Sequence, residues 1–509
     1  MSELHADVAI IGSGFGGTLT ALILDRIGLR PVLIDRDAHP RLVLGESSTP
    51  LADMLLKTLA HKYGLPRIAP LAEYGTWQRE YPDLACGLKR GFSYFGHVPE
   101  RAFEPRLDHA NELLVEASFA AEDADAHWFR PDFDAFLVRE AQAAGIPFFD
   151  RTDVTNLSQG EPWRLDCRRG DEALVITADF LLDASGAGGF LSRQLAIPDD
   201  PQRMRTTSRA LFGHFTGVEP WHDRLEAASA NTLAITAAHP FPCDDAALHH
   251  ICDGGWMYVL RFNNGVTSAG FMIDSSRRPL DANVSPEDEW RIWLDRYPSV
   301  AAQFSRAELT PLCGPIRRTP RLQRRIRRTV GPNWAMLPLA TYTLDALHSS
   351  GNAHTLYGIE RLTSIFERKL GPDEFYAALQ EHGRTLQTEI DLLDQLVHGC
   401  YRAFANFDLF VSYVMFYFVA AHNSEDQRRR GRAEPGDAFL LADNARFRQA
   451  VDTCYARLIE ITAAGSPSVE QIREFRDLTA VSIAPFNIAG LCDDSRHNMY
   501  PFIVPDSAE

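Results

Sequence analysis

The chain has 509 residues, enough for more than one compact unit around a sizeable apolar core. Its 68 acidic and 51 basic side chains give a formal charge of −17, which favours solubility and argues against general nucleic-acid binding. The first residues, MSELHADVAI, carry no basic n-region and no apolar signal core, and the eight scattered cysteines form no CxxC pair, so the expected setting is the cytoplasm, with reduced thiols.

The stretch DVAIIGSGFGGTLTALILDRIGLRPVLIDRD, Asp7 to Asp37, runs an apolar strand through a glycine turn into a helix-periodic segment. Gly12, Gly14 and Gly17, with Phe15 among them, form G-x-G-x-x-G, in which glycine lets the backbone turn tightly and approach a pyrophosphate. A second strand, Pro31 to Ile34, leads into Asp35 and Arg36, about 20 residues on, where an acid accepts a bond from a ribose hydroxyl. A dinucleotide is expected here.

Arg130 to Phe149 has helical periodicity closing through Gly145 into another apolar stretch, and Thr177 to Leu195 holds a buried strand ending at Asp183, with Gly186 in the turn beyond. Between about 200 and 310 the segments alternate; WMYVLRFNNGVTSAGFMI, with Asn263-Asn264-Gly265 as its turn, predicts a β-hairpin. Seven arginines fall in the twelve positions from Arg317 to Arg328. They suit the solvent face of a strand or hairpin, or more sharply a docking patch for an acidic carrier protein or a reductase. Beyond about 365 the signals are helical. Only 13 residues, Leu409 to Ala421, separate Asp408 from His422, too few for a membrane span of about 20, so a buried helix is predicted, followed by a solvated Arg428–Arg432 loop.

Three further stretches carry a resemblance. GESSTP, Gly45 to Pro50, follows the second strand; ACGLKRGFSYFGH, Ala85 to His97, contains Lys89; LPLATYTLDALHSSG, Leu337 to Gly351, precedes a helix. Together with the glycine turn and the Asp183-Ala-Ser-Gly186 strand end, they resemble the FAD-containing monooxygenase and halogenase superfamily, and within it the flavin-dependent halogenases of phenols and pyrroles. The resemblance spans most of residues 5–365. A second G-x-G-x-x-G for NADPH is absent, so electrons are expected from elsewhere.

The resemblance implies FAD, used as FADH2 from a separate flavin reductase, with O2 and chloride or bromide. It places Gly12, Gly14, Phe15, Gly17, Asp35, Arg36, Glu46, Ser47, Asp183, Gly186, Asp345 and Gly351 at the cofactor. It places Ser349, Ser350 and Gly351 at the halide, where free N–H groups at a helix start can hold an anion. It makes Lys89 the catalytic lysine, carrying halogen to a small aromatic substrate, free or tethered to a carrier protein; a buried ammonium with a lowered pKa suits that role.

Two departures stand out. Halogenases carry W-x-W-x-I-P in the middle sheet, whereas this chain reads WMYVLR: Trp256 stays, Tyr258 and Leu260 substitute, and Arg261 replaces the proline. The family's D-P-x-x-S-x-G loop, which Leu337 to Gly351 resembles, has proline where this chain has Ala346, and His348 precedes the Ser-Ser-Gly turn as a candidate base. Trp256, Tyr258, Arg261 and His348 are therefore the substrate-side candidates. The expected fold is α/β: a discontinuous Rossmann-like FAD-binding core (1–200 and 312–365), an inserted antiparallel β-sheet (200–312) and a helical C-terminal region (366–509), with neither a membrane span nor a metal site. The leading expectation is a two-component halogenase. Behind it stand an FAD-dependent monooxygenase or dehydrogenase on the same scaffold, and a flavin-binding protein without turnover.

Overall fold

Ile11 pairs with both Ile34 and Asp183, and Asp183 pairs with Met336, so four parallel strands end at one level. In open α/β sheets that level, outside the carboxyl ends of the strands, is where ligands bind. The computed structural model describes residues 2–228, 235–463 and 465–503. Its first sheet runs, in spatial order, Val330–Gly331, Trp334–Met336, Glu172–Asp183, Ser2–Ile11, Pro31–Ile34 and Phe148–Phe149. Pro31–Ile34 is buried at every position, as befits a parallel strand covered on both faces. The helices Phe15–Arg26 and Arg130–Ala143 lie against it, and the hairpin Thr152–Ser158 and Trp163–Arg169 pairs with the first half of Glu172–Asp183.

The second sheet is not confined to the interval 200–312. Ser208–Thr216, Thr267–Asp274, Gly255–Arg261 and Ala247–Cys252 form an antiparallel run, with the predicted Asn-Asn-Gly turn joining two of them. Gly91–Gly96 then adds in parallel to Ala247–Cys252, followed by Glu112–Glu116 and by Met499–Tyr500. Side chains alternate across this sheet. Phe92, Tyr94, Trp256, Tyr258 and Leu260 join the main core, while Phe95, Met257, Val259 and Phe271 pack on the opposite face against Trp290 and Trp293.

Helices Ser350–Glu367, Pro372–Ala403, Phe407–Arg429, Ala445–Ala463 and Val469–Ile483 make up the C-terminal part. Phe407–Arg429 is apolar around most of its circumference and accordingly buried, from Leu409 to Ala421 almost without a break. Among the described residues no helix is long and apolar enough to cross a membrane. Glu389 joins two of the helices, accepting from His354 Nε2 at 2.8 Å and Arg361 Nη2 at 2.5 Å, all three groups buried.

Two arginine runs differ from expectation. Arg428 does not stand in a solvated loop; it continues the helix and pairs with Glu360 at 2.7 Å. The run from Arg317 to Arg328 is only partly an open basic face: Arg317, Arg327 and Arg328 are exposed, whereas the guanidiniums between them knit neighbouring loops together. Arg321 reaches the carbonyls of Pro201, Met204 and Thr206, Arg324 those of Gly186 and Ala340, and Arg325 the Asp391 carboxylate.

Candidate functional site

A cavity of about 790 Å³ opens at the strand ends, and the three glycines of the turn serve it differently. Gly12 has φ +108°, and a Cβ there would lie 2.5 Å from the Ala184 carbonyl oxygen. At Gly17 a Cβ would lie 2.0 Å from the Gly12 carbonyl oxygen, so this glycine lets the helix seat on its own turn and does not line the cavity. Gly14 has an ordinary φ of −66°, and a Cβ there would meet no protein atom closer than 3.7 Å. The protein does not need glycine at 14. Its bare Cα leaves that stretch of the cavity wall open.

Asp35, Arg36, Phe15 and Gly186 also line the cavity. Asp35 is held by the Ser13 N–H at 2.7 Å and hydroxyl at 2.8 Å and by both Arg41 amino groups; these partners keep its pKa low despite burial. Asp183 is placed differently from the expectation of a cofactor contact. It is fully buried and accepts from Ser185 N at 2.9 Å and Leu191 N at 2.7 Å, so it shapes the Ala184–Gly188 turn that lines the cavity. Arg130 escaped the sequence reading, since arginine at a helix N-terminus opposes the dipole. Its pairing with Asp134 at 2.8 Å offsets that, while Nη1 donates to the Gly45 carbonyl at 3.0 Å beside the cavity.

At the other end the Gly45–Pro50 loop meets the start of helix Ser350–Glu367. Asn352 Nδ2 donates to the carbonyls of Gly45 and Ser47, each at 3.2 Å, and the Ser349 hydroxyl bonds the Ser47 hydroxyl at 3.0 Å. Ser349, φ +50°, caps the helix, so Ser350 and Gly351 carry helix-start N–H groups without intrahelical acceptors, and all three residues line the cavity. Glu46 lines it too, its carboxylate bonded to His214 Nε2 at 2.8 Å. Asp345 takes Ser208 Oγ and Tyr401 Oη at 2.7 Å each and Trp256 Nε1 at 3.0 Å; burial raises its pKa against these bonds.

Lys89 is fully buried although it is a lysine. Its ammonium donates to the Ser48 carbonyl and lies 4.0 Å above the Phe92 ring. Burial lowers its pKa to about 8, with Asp125 and Asp53 acting in the opposite direction. Lys89 does not line the cavity, but the carbonyl its amine bonds belongs to Ser48, next in the chain to Ser47, which does.

Two substrate-side expectations need correction. Trp256 and Tyr258 line the cavity, but Arg261 does not: it turns away, donating from Nε to Asp244 at 3.0 Å and from Nη1 to the Val218 carbonyl at 3.1 Å. Strand alternation puts residue 261 on the face of 257 and 259, not that of 256, 258 and 260. His348 is buried and stacked on Tyr417 with ring centroids 4.4 Å apart, and does not reach the cavity. Burial drives its pKa down to about 3, so it is neutral near pH 7.

Comparison with known proteins agrees with this geometry. The family model "FAD dependent oxidoreductase" matches residues 7–324. Monodechloroaminopyrrolnitrin halogenase PrnC of Pseudomonas fluorescens is 27% identical over 494 residues, covering 92% of this chain and 83% of the relative. Tetracycline 7-halogenase of Kitasatospora aureofaciens is 30% identical over 421 residues, covering 80% of this chain and 71% of the relative. The crystal structure of halogenase PltM in complex with phloroglucinol and FAD superposes with a TM-score of 0.85 at 25% identity, covering 97% of this chain and 99% of that one.

Proposed function

The chain belongs to the FAD-dependent oxidoreductases and, within them, to the flavin-dependent halogenases, and from that premise we propose that it halogenates an electron-rich aromatic ring, phenolic or pyrrolic. In this reading FADH2 comes from a separate flavin reductase, and O2 and chloride or bromide are co-substrates. The names of relatives support the substrate class: one acts on tetracycline, another on a pyrrole-2-carbonyl group held by a peptidyl carrier protein, and PltM was crystallised with phloroglucinol.

The observation that carries the reading is Lys89, an amine fully buried beside the wall of the flavin cavity. FAD, when bound in its reduced form, would supply the two electrons that bring O2 to the oxidation level at which it can oxidise halide. The residues of the chain do the rest. Gly14 leaves room for the pyrophosphate, and Asp35 stands where a ribose hydroxyl would donate. Helix-start N–H groups at Ser350 and Gly351 hold an anion at the ring end. Trp256, Tyr258 and Leu260 form an apolar wall that keeps water from the reactive end. Lys89 Nζ, poised between charge states, presents either a proton or a lone pair to the oxidised halogen.

The test supplies reductase-generated FADH2, O2, bromide and a panel of phenols and pyrroles, and follows the mass of the products. A mono-brominated isotope doublet is expected. A product heavier by one oxygen and indifferent to halide would overturn the proposal in favour of a monooxygenase, which the substitution of Tyr258 for the second tryptophan of the motif would then explain.

A further inference from the structure

Lys89 sits in a pocket of acids that form no close ion pair with it. Asp125 is its cross-strand partner, in the strand Asp125–Trp128 paired with Cys86–Lys89. Asp53 comes from the helix Pro50–Lys62, where Ser48 Oγ donates to its Oδ1 at 2.6 Å. Both carboxyls are buried, each feels the other as well as the charge of Lys89, and the buried Oδ2 of each has no hydrogen-bond donor from the protein. Two carboxylates cannot bond to each other without a proton between them.

We propose that Asp53 and Asp125 share one proton and act as a single, singly charged counter-ion that sets the charge state of Lys89. The inference rests on the halogenase reading only for its consequence, the halogen-transfer step; the pair itself belongs to the resting protein. Charge counting supports it. The other titratable groups around the amine are His127, on the strand of Asp125, and His249, on the second sheet; burial holds both near pKa 3, so both are neutral. Behind Asp125 stands Glu425, on the helix Phe407–Arg429, whose pKa burial raises to about 8. Burial likewise lifts Asp125 to about 7 and Asp53 well above the carboxylate range. One ammonium against two ionised aspartates would leave a net charge in a dry site; one ammonium against a proton-sharing pair leaves none. Asp53 and Asp125 are positioning residues, acting on the reaction through Lys89.

The chain has four lysines, at 57, 62, 89 and 369, so NMR of protein labelled at lysine Cε gives four resonances to follow against pH, with Lys89→Arg assigning the one of interest. In an Asp53→Asn, Asp125→Asn double variant that still binds FAD, the proton affinity of Lys89 is expected to fall at least tenfold. The limb of the halogenation pH profile that tracks Lys89 should shift to lower pH with it. An unchanged Lys89 titration overturns the proposal, whether or not the wild-type protein halogenates. Should the double variant fail to fold, infrared spectra near neutral pH provide the second measurement. Glu425 contributes a carboxylic-acid C=O band of its own, so the Glu425→Gln background is the reference: a C=O component is expected to remain there and to be lost when Asp53 or Asp125 is also changed to Asn. If that background has no such component, the pair carries no shared proton and the proposal fails.

Discussion

Trp256 Nε1 donates to Asp345 Oδ1 at 3.0 Å, tying the second sheet to the loop that leads into helix Ser350–Glu367. The same carboxylate takes the hydroxyls of Ser208 and of Tyr401, which lies on the long helix Pro372–Ala403. The second sheet, the loop before helix Ser350–Glu367 and the C-terminal helices thus meet at one buried acid. Trp256→Phe keeps the ring but removes the donor, leaving Oδ1 with only the Leu347 N–H at 3.2 Å. A loss of about 1–3 kcal/mol in denaturant unfolding is expected, with weaker FAD binding because Asp345 and Trp256 both line the cavity. Stability and FAD affinity both equal to wild type would show that the bond couples nothing.

Glycines 14 and 17 should separate ligand binding from folding. Gly14→Val sets a Cβ 3.7 Å from its nearest protein neighbours, Arg130 and Asp134, at the cavity wall, so the fold should persist and the yellow colour vanish. Gly17→Ala drives a methyl group into the Gly12 carbonyl and should destabilise the fold by at least about 1–3 kcal/mol. Circular-dichroism melts and flavin absorbance read the two effects independently. A Gly14→Val protein that keeps stoichiometric FAD would mean that the cofactor takes another path.

How far the sequence reached depended on whether the governing interaction was local. The opening turn is local: an apolar strand, spaced glycines and a helix follow one another, and the structure matches them nearly residue for residue. Arg261 was misplaced because motif adjacency was weighed above strand alternation, which alone would have turned it away from Trp256. Asp53 and Asp125 were missed for a deeper reason. They lie 72 residues apart, on a helix and on a strand, and an acid in a first helical turn reads as an ordinary exposed partner of the helix dipole. Gly91–Gly96 and Glu112–Glu116 gave no sign that they would extend a sheet whose other strands begin near residue 208, since sheet order is not chain order.

Glu425 gives stability a pH dependence on the acid side. Burial raises its folded-state pKa to about 8, whereas a glutamate in the unfolded chain titrates near 4.3. Its contribution is complete below about pH 4 and is lost as pH rises towards 8, because the unfolded chain then releases a proton that the native state must keep. Glu425→Gln mimics the protonated form permanently. Its stability should match wild type at acid pH and exceed it above pH 8 by something on the order of 3–5 kcal/mol, as denaturant midpoints across that range would record. Parallel stability curves for the two proteins would mean that Glu425 is ionised in the fold.

Lys89 titrates with the opposite sense. Its folded-state pKa, lowered by burial to about 8, lies below the value of about 10.4 expected in the unfolded chain. Between those values the unfolded chain binds the extra proton, so the wild-type protein should gain stability as pH rises through that window, by about 3 kcal/mol in all. Lys89→Met replaces the amine with an apolar chain of similar length and should lack this rise, at a cost in stability near neutrality because the charge on the Asp53–Asp125 pair loses its counter-ion. In the same variant, flavin binding and reoxidation should continue at the wild-type rate and halogenated product should disappear. The two measurements test separate things. A stability difference between wild type and Lys89→Met that stays constant from pH 8 to 10 would place the amine in contact with water, and halogenation that survives the substitution would take the halogen-transfer step away from this residue.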